Sequence, residues 1–501
     1  MAEPGIGTVS SQVSAQVTSG IQQCEVTSIS DHRINMAHIR NIRRCAAALT
    51  CVLLGVMAGP LALIGGAAAT SRSLIAPFPA PNVGFVGFGN GSGLGMGQWG
   101  AFGYAALDHE PYRWILAHYY VGTTLSSSDN LTSTDPTISV DLNENDGDAV
   151  VVTSESQFSF GGYTFLGGQA VRAVLSRSTW TLSDAAGCSS TKWTPVASRV
   201  VNPIAAPSSV QPSVALNQVL TICEHDGFDL PVSGTVEAYD SPHGAVTLSI
   251  LPIEEYVRSV ISAEVSWSWG LFGGSDGSPQ GHAWGFQALE AQAVATRSYV
   301  AAEIASGGWA SYATACDSDC QSYPGMANEN PMLNAAVTDT AGQILEQPGT
   351  TSTTSTTSTT STTGTTGTTS TTSTPGTPVF ADYSASSGGY TVSGQFPSVV
   401  DRGDSVCIKS SYYTCNPCHK WMASVPASAI EKAFPSVGTL AAVEVTQRNG
   451  LGPLGGRVET VEIVGTTGFE VSVSAYALVA LLAVNNPNRC SSDWYGITNG
   501  P

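Results

Sequence analysis

The stretch from Leu251 to Ala302 constrains the fold most: LPIEEYVRSVISAEVSWSW, a glycine-rich bridge, then FQALEAQAVATRSYVAA. It predicts two helices joined by a long loop. Pro252 suits a first helical position, where its missing N–H costs nothing. Beyond it, Ile253, Tyr256, Val257, Val260 and Ile261 recur at helical spacing and make one apolar stripe, and Glu264 falls on the same stripe. In the second helix Phe286, Leu289, Ala293, Val300 and Ile304 repeat the pattern, with Arg297 among them. Burying a carboxylate or a guanidinium without a partner is costly, so these two side chains should either pair or do chemistry.

The surrounding chain is written differently. From Thr137 to about Asp240 short β-type runs (ISVDL, AVVVTS, YTFLG, AVRAVLS, STWTL, TVEAY) alternate with turn-formers, the pattern of an all-β region. VTLSIL, residues 246–251, predicts a strand feeding the first helix, and the C-terminal run VETVEIVGTTGFEVSVSAYALVALL predicts strands and then a helix. The fold class expected is therefore α+β: a mixed, β-rich domain in which a few helices form the active cleft. A Thr/Ser/Gly tract over 349–378 cannot bury a core and is expected to be disordered. It would form the long tip of a hairpin between QILEQ and PVFADYSASSGG, because closure entropy grows only logarithmically with length.

Charge and cysteines bound the function. A formal net charge of −19 argues against a nucleic-acid partner, which would favour a basic surface. Arg40, Arg43 and Arg44 precede an apolar run from Cys45 to Ala69 that ends in three alanines, the layout of a secretory signal, with a retained membrane anchor as the alternative. Residues 1–35 look like a spurious or disordered extension, with Met36 as the true start. Eight cysteines lie beyond this segment, an even number that favours disulfides outside the cytosol. Cys188 and Cys223 would make a staple within the β region. Cys316 and Cys320, four apart, could in principle hold zinc, but no second Cys/His pair stands nearby, so a disulfide is favoured and no cofactor is expected. The same holds for Cys407, Cys415 and Cys418 beside His419. Gly95-Met96-Gly97-Gln98-Trp99-Gly100 spells a dinucleotide-binding pattern, yet no βαβ unit or correctly spaced acid follows, and that reading is rejected.

The pieces PIEEYVRSVISAEV and ALEAQAVATRSYV, with GSGLGMGQWGA, CQSYPG and YSASSGG, resemble the stage II sporulation protein D / amidase enhancer (SpoIID/LytB) family. The early place of the glycine-rich element resembles an actinobacterial-type order, and Ser92 stands where the family has a histidine. The resemblance assigns 70–240 to the glycine-rich element plus the β-rich region, and 241–501 to the family core interrupted by the 349–378 tract, with 36–69 as signal or anchor. It implies a secreted or cell-envelope protein whose partners are peptidoglycan glycan strands, and in which Glu264 is the catalytic acid. Arg297, Tyr383, Ser384, Ser386, Gln98 and Trp267 are the candidate substrate-binding residues. Members of the sporulation type are lytic transglycosylases; the amidase-enhancer type stimulates a separate cell-wall amidase without cutting glycan.

One carboxylate suffices for transglycosylation. It protonates the glycosidic oxygen and then accepts a proton from the sugar's own 6-hydroxyl, which closes a 1,6-anhydro ring without water. A place on an apolar stripe would favour the protonated starting form of Glu264, while Arg297, if close, would oppose it. Trp267, Trp269 and Trp284 could stack on sugar faces or pack in the core.

Overall fold

The β-branched runs form strands, and the strands build two large sheets that share one core. The computed structural model describes residues 75–127, 136–208, 216–225, 228–349, 351–359, 365–373, 376–409 and 413–498. The extension 1–35 and the signal or anchor 36–69 lie outside these described residues. Seven α-helices occur among them: α1 Gln98–Asp108, α2 Tyr112–Tyr119, α3 Ile253–Glu264, α4 Phe286–Ser306, α5 Pro331–Asp339, α6 Ala427–Ala433 and α7 Tyr476–Val484. With many strands and few helices, the fold is α+β and β-rich, as the sequence predicts.

A six-stranded sheet runs in the order Thr194–Val200, Thr179–Ala185, Ala170–Ser176, Val150–Thr153, Leu220–His225, Phe228–Val232. A seven-stranded sheet runs Ala315–Cys316, Thr137–Asp141, Gly244–Pro252, Thr235–Ser241, Ile204–Pro207, Phe158–Phe160, Tyr163–Phe165. Val152, Val171 and Ile222 of the first belong to one apolar core with Phe158, Phe160 and Val236 of the second. Strand Gly244–Pro252 pairs with Thr235–Ser241 on one edge and Thr137–Asp141 on the other, so hydrogen-bonded sheet runs across position 240. The C-terminal strands Trp421–Pro426 and Tyr495–Ile497 flank Asn82–Gly87, which binds the two ends of the described chain together around a second core.

Helix α4 is the centre of the first core. Twenty-one residues span about 30 Å, and from Phe286 to Glu303 it is buried on nearly every face rather than along one stripe. Alanines at 288, 291, 293, 295, 301 and 302, all buried, let α1, α2, α3, α5 and strand Gln343–Gln347 approach it closely. Gly307, in the left-handed region at φ 101°, ends it. Helix α3 keeps the expected stripe: Ile253, Tyr256, Val257, Val260 and Ile261 are all buried. Pro252 sits one place earlier than expected, capping α3 while it closes the preceding strand.

The Thr/Ser tract departs from the expected disorder. Thr351–Thr359 and Thr365–Ser373 pair as antiparallel strands, with Glu346 and Gln347 paired to Pro378 and Thr377 at the base. Threonine is β-branched and a good strand former, so repeated Thr carries a strand pattern even without an apolar face. Four disulfides join Cys188–Cys223, Cys316–Cys320, Cys407–Cys415 and Cys418–Cys490. All eight downstream cysteines are thereby paired in disulfides. Among the described residues no helix is long and apolar enough to cross a membrane.

Candidate active site

Glu264 is the last residue of α3, half-buried where the helix stops. The glycine-rich element reaches it from one side. At Gly95, with φ 62°, a Cβ would overlap the Asp382 carbonyl, so only glycine lets the chain pass there. Met96–Gly97 then pairs in parallel with Tyr383–Ser384 and launches α1, with Gln98 as its first residue. The buried Gln98 amide donates to Glu264 Oε2 at 3.1 Å and to Gln292 Oε1 at 3.4 Å. Gln292 donates in turn to Thr296 Oγ1 at 3.3 Å.

The disulfide-closed loop reaches Glu264 from the other side. The backbone N–H of Ser322 donates to Glu264 Oε1 at 3.4 Å. Its neighbour Gln321 accepts the Tyr383 hydroxyl at 2.8 Å and donates to Tyr256 Oη at 3.3 Å and the Thr296 carbonyl at 3.4 Å. Tyr383 lies near enough to the Glu264 carboxylate that burial first, and that charge second, hold its phenol well above the ordinary value. Four stretches far apart in sequence thus meet at one carboxylate, which is oriented through both of its oxygens.

Trp267 follows three residues after Glu264 and is 46% exposed. Trp269 is core instead, its ring stacked on Phe102 at 4.8 Å, and Trp284 stacks on His109 at 5.0 Å. Of the three tryptophans, Trp267 is the exposed one.

Arg297 requires correction. It does not meet Glu264 and cannot touch a substrate, because its side chain has 0% exposure. Nε donates to Glu254 Oε1 at 2.8 Å and Nη2 to Glu254 Oε2 at 2.7 Å. Nη1 donates to the carbonyls of Ala293 and Gln343, and Nη2 also to that of Val337. All five guanidinium protons are therefore used. Arg297 is a knot that ties α3, α4, α5 and strand Gln343–Gln347 together.

The serines also differ from expectation. Ser386 is fully buried, donates to Asp404 Oδ1 at 2.7 Å and accepts from Asn416 at 3.0 Å. Ser384 is 6% exposed, and its Oγ is sealed without a partner. The small residues of YSASSGG serve close packing: at Gly388, with φ 75°, a Cβ would come within 3.0 Å of Phe88 and Gly89, and Ser387 Oγ donates to the Asp401 carboxylate at 2.7 Å.

Sequence reasoning missed Glu254, Gln292, Gln321 and the Ser322 amide. Gln321 had a signal, its place in the CQSY run. The choice of Glu254 over Glu255 or Glu264 as the partner of Arg297 depends on helix rotation that spacing alone does not fix.

A single helix-terminal carboxylate, oriented by two amide donors and bordered by a buried tyrosine, defines a polar acid site in a disulfide-bonded frame. Residues 242–346 match the family model described as Stage II sporulation protein, so the chain carries a SpoIID domain. Glu264, Glu254, Gln292, Arg297 and Gln321 lie inside the matched span, while Gln98 and Tyr383 lie outside it. No curated protein and no solved structure matches the chain. A SpoIID domain points to a sporulation-related, cell-wall function associated with peptidoglycan.

Proposed function

We propose that this protein is an exported peptidoglycan lytic transglycosylase with Glu264 as its acid and base. The observation that carries the reading is the convergence of Gln98 and the Ser322 N–H on that carboxylate, with Tyr383, bonded to Gln321, near it. Protonated Glu264 gives its proton to the glycosidic oxygen as the C1–O bond breaks. The carboxylate formed takes the proton of the 6-hydroxyl as that oxygen closes on C1, so the acid is regenerated and no water is consumed. Trp267 offers its face to a sugar ring, and a net charge of −19 leaves stacking and hydrogen bonding as the means of grip. Four disulfides support an extracytoplasmic location.

The test is Glu264→Gln, which keeps the shape and removes the transferable proton. Anhydro-product formation should fall by about a hundredfold or more, with the melting temperature close to wild type because Arg297 has its own partner. A stable variant that still forms anhydro products would remove Glu264 from the mechanism. A second reading, a non-catalytic enhancer of a cell-wall amidase, is favoured by both Glu264 oxygens already having protein donors. It predicts a wild-type protein that accelerates an amidase and releases no anhydro sugar.

A further inference from the structure

The polar groups behind Glu264 form a continuous chain of hydrogen bonds whose direction is fixed from its far end. Helix α4 carries Gln292 and Thr296 one turn apart, and both side chains are fully buried. The Thr296 carbonyl can only accept, and it takes a proton of Gln321 Nε2 at 3.4 Å. That sets the Gln321 amide. Its nitrogen faces the Thr296 carbonyl and Tyr256 Oη, and its Oε1 faces the Tyr383 hydroxyl at 2.8 Å. Tyr383 must therefore donate to Gln321. Its oxygen is left to accept from the Thr296 hydroxyl, with which it is hydrogen-bonded.

The consequence reaches the acid. With its own proton given to Tyr383, Thr296 Oγ1 can only accept on its other side, where Gln292 Nε2 stands at 3.3 Å. Gln292 then has to turn Oε1 toward Gln98, and Gln98 has to answer with Nε2, at 3.4 Å. The same Nε2 donates to Glu264 Oε2 at 3.1 Å. Gln98, Gln292, Thr296 and Gln321 are all buried. Reversing any one link would set two N–H groups or two lone pairs face to face where water does not replace the lost bond.

We propose that Thr296 is a positioning residue for Glu264: its hydroxyl fixes the direction of this chain and so holds an N–H, never a C=O, against Oε2. The direction of the chain stands on the geometry alone, while its bearing on turnover rests on the transglycosylase reading. An N–H against the carboxylate favours the charged form, which Glu264 reaches once its proton has passed to the glycosidic oxygen. Thr296→Val keeps the branched shape and removes the hydroxyl. Gln292 is then free to turn its nitrogen toward Gln98, and Gln98 to turn its Oε1 toward Glu264. That carbonyl oxygen is satisfied only when Glu264 carries a proton.

The test is a pH titration of the full-length protein by NMR, with the carboxyl groups of glutamate labelled with heavy carbon. The Glu264 signal is the one lost in Glu264→Gln. Thr296→Val should hold the Glu264 proton about tenfold more tightly than the wild type, which moves its midpoint up by about one pH unit. The alkaline limb of the pH–rate profile for anhydro-product release should move up with it. Gln292→Met breaks the same chain one link nearer the acid and should shift the midpoint in the same direction. Thr296→Ser loses the methyl group but keeps the hydroxyl, so it should titrate as the wild type does, which separates a reversed chain from a packing defect. An unchanged Glu264 midpoint in Thr296→Val would overturn the proposal, as would a shifted one in Thr296→Ser. Should Thr296→Val fail to fold, an unchanged midpoint in Gln292→Met overturns it instead. The expected midpoints in a protein whose wild type releases no anhydro sugar would uphold the role of Thr296 and refute the transglycosylase reading.

Discussion

Replacing Glu254 should damage the fold rather than the chemistry, and the size of the effect follows from the surroundings of Arg297. Its guanidinium has no solvent exposure and spends two of its five N–H bonds on Glu254, the sole counter-charge it contacts among the described residues. Glu254 Oε1 also accepts the Gly342 N–H at 3.1 Å, so the same carboxylate anchors the start of strand Gln343–Gln347. Glu254→Gln keeps the shape but leaves a cation in the core without compensation, a change that costs about 3–5 kcal/mol. The unfolding constant should rise by roughly two to three and a half powers of ten. Pairing it with Arg297→Met should recover part of that loss, since the buried charge that lacked compensation is then gone, while the Ala293, Gln343 and Val337 carbonyls lose a donor. Equilibrium urea unfolding of the wild type, both single variants and the double variant closes the cycle, and the coupling should be several kcal/mol. If Glu254→Gln unfolds within about 1 kcal/mol of wild type while glycan binding collapses, the knot is not structural and the assignment of Arg297 fails.

Three further outcomes are expected. Gln98→Met removes the amide that holds Glu264 and should lower product formation at least about tenfold, with a stability cost of about 1–2 kcal/mol; unchanged turnover would show that Glu264 needs no such support. Burial pushes Glu303 up to about 8 from 4.5, so the folded chain holds a proton that the unfolded chain has lost between those values, and stability falls as pH rises across that window. Glu290, about 8, and Asp401, about 7, act in the same direction. The melting temperature should therefore drop from pH 5 to pH 8, and Glu303→Gln should flatten that drop by on the order of a few kcal/mol; an identical slope in the variant would refute the assignment. Deleting residues 350–374 should leave the melting temperature within a few degrees of wild type, because that hairpin pairs only with itself and the base pairing of Gln343–Gln347 with Thr377–Pro378 remains; a large loss would mean that it packs.

What the sequence disclosed was the local part of the account. Period and turn chemistry placed α3, α4, the β region and the C-terminal helix, because each rests on contacts between near neighbours. Glu264 was legible as an anomaly on an apolar stripe. Its setting was only half legible: Gln98 and Tyr383 could be nominated by resemblance, but their meeting depends on a parallel pairing of two-residue strands nearly three hundred positions apart. Arg297 misled for the same reason. A buried cation announces the need for a counter-charge, and three glutamates on α3 could answer it; helix rotation and the approach of α5 decide for Glu254. The serines of YSASSGG looked like groove residues because small hydroxyls suit both sugar binding and close packing, and the carboxylates that claim Ser386 and Ser387 lie well over ten residues further on. Repeated threonine suggests disorder by composition, whereas Thr351–Thr359 and Thr365–Ser373 pair as strands, which β-branching permits.

The most direct test of the central claim is to digest purified peptidoglycan with the mature protein in water enriched in heavy oxygen and to weigh the released fragments. Transglycosylation by Glu264 closes the ring with the sugar's own hydroxyl, so the wild type should release fragments one water lighter than hydrolysis products, ending in 1,6-anhydro sugar and carrying no solvent oxygen. Fragments of full mass carrying heavy oxygen at the new reducing end would contradict the account, because they would require an activated water that a single carboxylate acting as described does not use.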